Sequence, residues 1–78
     1  MSITVLYFAS LRDAAGRSSE QLPLPASLAS LYEDLRARHG FVLPRNKLRV
    51  AVDGEFADWD TSLREGCEIA FIPPVSGG

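Results

Sequence analysis

Seventy-eight residues, 46% of them hydrophobic and 23% charged, describe one globular domain with apolar material for a single core rather than a disordered chain. A domain this small buries only about 60% of the surface its unfolded chain exposes, which leaves little room for an enclosed pocket of the usual ~300–1,000 Å³ and places any reacting group at the surface or with a partner. The net charge of −2, with a single lysine and basic residues gathered only at Arg45, Lys47 and Arg49, excludes the electrostatic footprint of a nucleic-acid binder.

The N-terminus, Met1-Ser2-Ile3-Thr4-Val5, carries no basic stretch, and the apolar run that follows breaks at Ser10 and Arg12. Neither a signal peptide nor a membrane span is expected. Ile3 to Phe8 is β-branched and aromatic, with Ile3, Val5 and Tyr7 on one face and Leu6 and Phe8 on the other. Apolar side chains on both faces predict a central strand. Ser10 is placed to cap a short helical turn from Leu11 to Ala14, which Gly16 closes. Ser19 to Leu24 is more polar and is expected to return beside the first strand as an edge.

Pro25 ends that strand, and Ser27 is a good N-cap for a helix in which Leu28, Leu31, Tyr32 and Leu35 recur at i, i+3, i+4 and i+7. That stripe predicts a core face. Arg36, Arg38 and His39 gather in the last turn, where the helix dipole favours positive charge, and Gly40 supplies the stop. His39 is then expected to face the dipole or solvent, not a metal. Leu48 to Val52 alternates, and Asp53-Gly54 is a strong hairpin-turn signal leading into a return strand through Glu55 and Phe56. The basic Arg45, Lys47 and Arg49 and the acidic Asp53, Glu55, Asp58 and Asp60 read as a solvated face, an electrostatic docking patch for a protein being the other reading. Trp59 and Leu63 are apolar pins in a polar loop, and Cys67 to Ile72 forms a final strand, again apolar on both faces. A single cysteine excludes an internal disulfide and a cysteine-based metal site and suits a reducing, cytoplasmic setting.

Strand, strand, helix, strand, short strand, strand is the β-grasp order: an α+β fold with a mixed sheet of four to five strands and one main helix across one face. The two-faced first and last strands are expected side by side and parallel in the centre. The sheet face that the helix leaves bare then carries an apolar patch of the kind that docks proteins. Residues 1–72 make up this domain, and residues 73–78 a flexible, extended tail. In that tail, Pro73 and Pro74 lack amide donors and stop the sheet, Val75 offers one apolar anchor, and Ser76, Gly77 and Gly78 complete a run of roughly 20 Å at full extension. Glycines without side chains suit a narrow channel that presents the Gly78 carboxylate to an electrophile.

The stretch Val5-Leu6-Tyr7-Phe8-Ala9, Leu11-Arg12, Gly16, Ala51-Val52, Gly66, Glu68 and above all Ile69-Ala70-Phe71-Ile72-Pro73-Pro74-Val75-Ser76-Gly77-Gly78 resembles the small, sulfur-carrying subunits of molybdopterin synthases along essentially the whole chain. The resemblance implies a carrier whose Gly78 is adenylated with ATP by a ubiquitin-activating-like adenylyltransferase. It then becomes a thiocarboxylate with sulfur from a donor such as a cysteine desulfurase or rhodanese-like protein. The tail, Pro73 to Gly77, enters the large synthase subunit, where sulfur passes to cyclic pyranopterin monophosphate to build the dithiolene. It further implies a heterotetramer of two small and two large subunits, an active site mainly on the large subunit, docking with help from Phe71, and no permanently bound cofactor or metal. Two positions depart from the pattern: Cys67, where aspartate is common, and Asp53, where asparagine is frequent. Cys67 reads as a small strand residue and Asp53 still serves the turn. A sulfur carrier of the thiamine type and a protein modifier joined to lysines are the competing readings.

Overall fold

A computed structural model of the chain describes residues 2–74. Strand β1 (Ser2–Tyr7) leads into a short helix α1 (Ala9–Ala15), an edge strand β2 (Ser19–Pro23) and the main helix α2 (Leu28–His39). A 3₁₀ turn (Arg45–Lys47) then precedes β3 (Arg49–Val52), β4 (Glu55–Ala57) and β5 (Glu68–Ile72). The five strands lie in the order β2-β1-β5-β3-β4. β1 and β5 run parallel, in register from Thr4 opposite Glu68 to Tyr7 opposite Phe71, and the other pairs are antiparallel. The β-grasp expectation holds, including the side-by-side placement of the first and last strands away from either edge.

Helix α2 forms where its ends are satisfied. Ser27 Oγ accepts the Ser30 amide at 3.1 Å while Ser30 Oγ accepts the Ser27 amide at 3.2 Å, a reciprocal cap with serine in place of the usual glutamate. At the far end Gly40, at φ 73°, donates its amide to the Arg36 carbonyl at 2.8 Å. That left-handed backbone is one that a side chain makes costly. Between these caps Leu28, Leu31, Tyr32 and Leu35 are all buried against Ile3, Val5, Tyr7, Val50, Ile69 and Phe71 of the sheet. Trp59 and Leu63, the expected pins, pack half-buried against the same core. The Tyr32 hydroxyl, whose proton affinity rises through burial, donates to the Leu43 carbonyl at 2.7 Å, tying the helix to the loop that follows it.

One local expectation is corrected. Ser10 caps nothing: α1 starts at Ala9, with Phe8 in the N-cap position and no side-chain cap. The chain makes that turn at Ala9 itself, at φ 51°, so the helix begins one residue before a serine cap could act. The hairpin turn behaves as expected, with Asp53 at φ 52° and Gly54 at φ 85°, the doubly left-handed geometry that matches strand twist. Asp53 adds a role not foreseen, its Oδ1 accepting the Glu68 amide at 2.9 Å while its own amide donates to the Glu68 carbonyl at 2.8 Å. The turn thereby fixes where β5 begins.

Candidate functional site

Because β5 is flanked by β1 and β3, the chain leaves the sheet between the end of β1 and the start of β3, with Phe71 beside Tyr7 and Ile72 beside Arg49. Along this exit the side chains alternate. Phe71 is fully buried, Ile72 is half-buried, Pro73 is buried and Pro74 is exposed. The first tail residue, Pro73, therefore packs into the domain, continuing the inward phase of Ile69 and Phe71. The proposed tail positions Val75, Ser76, Gly77 and Gly78 lie outside the described residues.

Phe71 does not form part of a docking face. Its ring is 0% exposed, stacked on Trp59 at 5.9 Å and tilted against Tyr32 at 5.2 Å, because the β5 register turns odd-numbered residues toward α2. The bare face of the sheet is formed instead by Leu6, Phe8, Ala51, Phe56, Ala70 and Ile72, which line a shallow apolar depression. Phe56 is 68% and Phe8 43% exposed. Sequence reasoning missed Phe56 as a surface residue, yet the signal was present. A two-residue turn at Asp53-Gly54 sets Phe56 opposite Ala51, and Ala51 lies opposite Ala70, which shares the outward face.

Two aromatic rings hold cations beside the exit. The Arg49 guanidinium lies 4.8 Å over the Phe56 ring on the bare face. That of Arg45 lies 5.6 Å over Trp59, on the α2 side. Lys47 is exposed between them in sequence. The free thiol of Cys67 is buried in the core, as its reading as a small apolar strand residue requires, one residue ahead of β5. It faces an open groove of about 670 Å³ that Val52, Trp59, Ser62 and Arg64 also line. Among the described residues no group of histidine, cysteine and acidic side chains is placed to hold a metal ion, and no helix is long and apolar enough to cross a membrane.

On the other side of β1, Glu20 of the edge strand collects positive partners. Its Oε1 accepts the Tyr7 hydroxyl at 2.7 Å and stands 3.2 Å from His39 Nε2, while Oε2 lies 3.6 Å from Arg38 and 3.9 Å from Arg17. His39, in the last turn of α2 as expected, is thus not turned to solvent. Its ring packs edge-on against Tyr7 at 5.7 Å, since the end of α2 lies over β1. Burial works to raise the Glu20 carboxyl, but hydrogen bonds from Tyr7 and His39 and the nearby positive charge outweigh it and hold the group below its ordinary 4.5. Burial, with the Glu20 hydrogen bond second, drives the Tyr7 hydroxyl well above the usual phenol range. A carboxyl depressed by folding stabilises the fold fully above its unfolded value, and that stabilisation is lost as the pH falls through the folded one. Glu20→Gln should therefore cost about 1–3 kcal/mol near neutral pH, as for hydrogen bonds to a charged group. The gap to the unaltered chain should close as the pH drops from 4.5 downward. Urea unfolding of both proteins near neutral pH and in acid checks this; a constant gap would show that the carboxylate charge contributes nothing.

The ThiS family model matches residues 5–78. Molybdopterin synthase sulfur carrier subunits are 39% identical in Mycosarcoma maydis, over 99% of this chain and 94% of that one, and 35% identical in Homo sapiens, over 97% and 93%. The chain belongs to the molybdopterin synthase sulfur carrier family. Solved structures agree with the membership and with the ubiquitin-like β-grasp fold. SAMP1 from Haloferax volcanii superposes with a TM-score of 0.81 at 26% identity, each chain covered in full. A putative molybdopterin converting factor subunit 1 from Pyrococcus furiosus gives 0.79 at 29% identity, over 96% of this chain and 99% of that one. The family model's match runs through Gly78.

Proposed function

We propose that the protein carries sulfur for molybdenum cofactor biosynthesis on the carboxyl group of Gly78, within a molybdopterin synthase. The observation that carries this reading is full-length kinship with molybdopterin synthase sulfur carrier subunits, joined to a central last strand, paired on both sides, that leads straight into Pro73-Pro74. A carboxylate is a poor acyl donor because its oxygen leaves badly. Attack of that oxygen on the α-phosphorus of ATP, in an adenylyltransferase, expels pyrophosphate and gives a glycyl adenylate. The outer sulfur of a donor's persulfide then displaces AMP to give an acyl disulfide, and a second thiol cleaves its S–S bond, taking the donor's sulfur into a disulfide and leaving a thiocarboxylate whose soft sulfur is the nucleophile toward cyclic pyranopterin monophosphate. This chain's contribution is positioning, a narrow Gly-Gly end that delivers one atom to a site built by the large subunit. The apolar depression around Leu6, Phe56 and Ala70 supplies the docking surface for that subunit, in a complex of two small and two large chains in the cytoplasm.

Likeness to a small archaeal modifier protein supports a second reading, in which the same activated glycine is passed to protein lysines. One experiment separates them. The chain is incubated with ATP, the adenylyltransferase and a sulfur source, and its intact mass is recorded. Replacement of one oxygen by sulfur at the C-terminal residue, with sulfur then released to the pterin precursor on adding the large subunit, is the expected result. Conjugates to other proteins without sulfur release would transfer the assignment to the modifier class, and an unchanged mass would remove both.

A further inference from the structure

We infer that Arg45, Lys47 and Arg49 form a basic collar around the root of the tail, and that this collar docks against a carboxylate-rich rim on the large synthase subunit, at the mouth of the channel that receives the tail. The inference rests on the reading above that the tail enters that subunit. Three observations carry it. First, the cations are at the root itself: Arg49 is the register partner of Ile72, and Arg45 sits over Trp59, whose ring stacks on Phe71. Second, they stand on both sides of the sheet, Arg49 with Phe56 on the bare face and Arg45 with Trp59 on the α2 side. A channel mouth closing around the tail would meet them from either side. Third, among the described residues none of the three pairs with a carboxylate, although Asp58 and Asp60 follow β4 nearby. Two guanidinium groups are held in place by rings with no ion pair among the described residues, though Asp53, Glu55 and Asp58 line the same groove as Arg49, and such pre-positioning lowers the entropy lost when a partner engages them.

Distance decides what these charges can meet. An arginine side chain reaches about a third of the roughly 20 Å that six extended tail residues can span. The collar cannot touch a nucleotide or pterin phosphate at the reacting end and is confined to the protein surface where the tail goes in. Positive charge there selects a negative rim and accelerates encounter more than it deepens the final complex.

The test uses the full chain and the purified large subunit, with binding followed by stopped flow and calorimetry at low and at physiological salt. Two variants are compared with the unaltered chain: Lys47→Glu, at an exposed position that leaves the fold intact, and the triple Arg45→Gln/Lys47→Glu/Arg49→Gln, with thermal unfolding as a control. The triple should raise Kd about tenfold or more, mainly through a slower association rate, and flatten the salt dependence. Lys47→Glu should move both in the same direction. An unaltered Kd, association rate and salt slope in Lys47→Glu would overturn the collar while leaving the carrier function standing. Failure of the unaltered chain to bind the large subunit at all would overturn the function, and the collar with it.

Discussion

A chain lacking Gly78 will fold as the intact one does and carry no sulfur. On the reading proposed above, the terminal carboxyl oxygen has to meet a phosphorus atom in one enzyme, and the sulfur that replaces it a pterin carbon in another, at near-attack distance. Removing or adding one residue displaces it by about 3.3 Å, far outside the tolerance of either step. Stability should not follow, because among the described residues the core cluster extends no further along the chain than Phe71 and a glycine has no side chain to bury. Thermal unfolding and intact-mass measurement on the same sample separate the two quantities. Loading of a chain that ends at Gly77 at the rate of the full chain would show that the terminal carboxyl is not the carrier position. The same outcome with an extra residue after Gly78 would carry the same meaning.

Phe71→Ala is expected to be the most destabilising single truncation. The ring has no exposed surface, lies between Trp59 and Tyr32, and belongs to a strand paired on both sides. Its removal should cost about 3–5 kcal/mol, the range for buried aromatic residues, against a total of roughly 4–12 kcal/mol for a chain of this length. Leu35→Ala, on the buried stripe of α2, should follow at about 2–5 kcal/mol. Phe56→Ala provides the contrast. Its ring is exposed, so unfolding should shift by only about 0.5 kcal/mol while affinity for the large subunit falls. If denaturant unfolding ranks Phe56 above Phe71, the two faces of the sheet have been assigned the wrong way round.

Much of this arrangement was legible in the sequence because the governing signals are local and periodic. The apolar stripe of α2 follows from spacing alone, and the strand pair Ile3–Phe8 and Cys67–Ile72 announces its central position by being apolar on both faces. What the sequence withheld depends on register. Whether Phe71 or Ile72 points outward cannot be told from a strand that is apolar throughout; it is settled by pairing with Tyr7 and Arg49. The partner of His39 was missed for a similar reason, since Glu20 lies nineteen positions away on another element. The start of α1 was missed because a non-glycine residue, Ala9, takes the left-handed turn, against its intrinsic preference. The reading of Gly78 as the carrier position rests on its neighbours, as two terminal glycines acquire meaning from the strand and prolines that precede them.

The parallel pairing of β1 with β5 also sets the order of events during synthesis. β1 and β2 can form their hairpin as soon as they emerge, and α2 can coil soon after, but the other flank of β1 stays bare until β5 arrives. Contacts between such distant segments are slow to form, and domains tend to be completed from the N-terminal side as the chain is made. A ribosome that stops before β5 therefore releases a product with its core open and its carrier tail missing together. Unfinished copies should be recognised and degraded as misfolded chains, and should not accumulate as decoys that occupy the large subunit without sulfur to give.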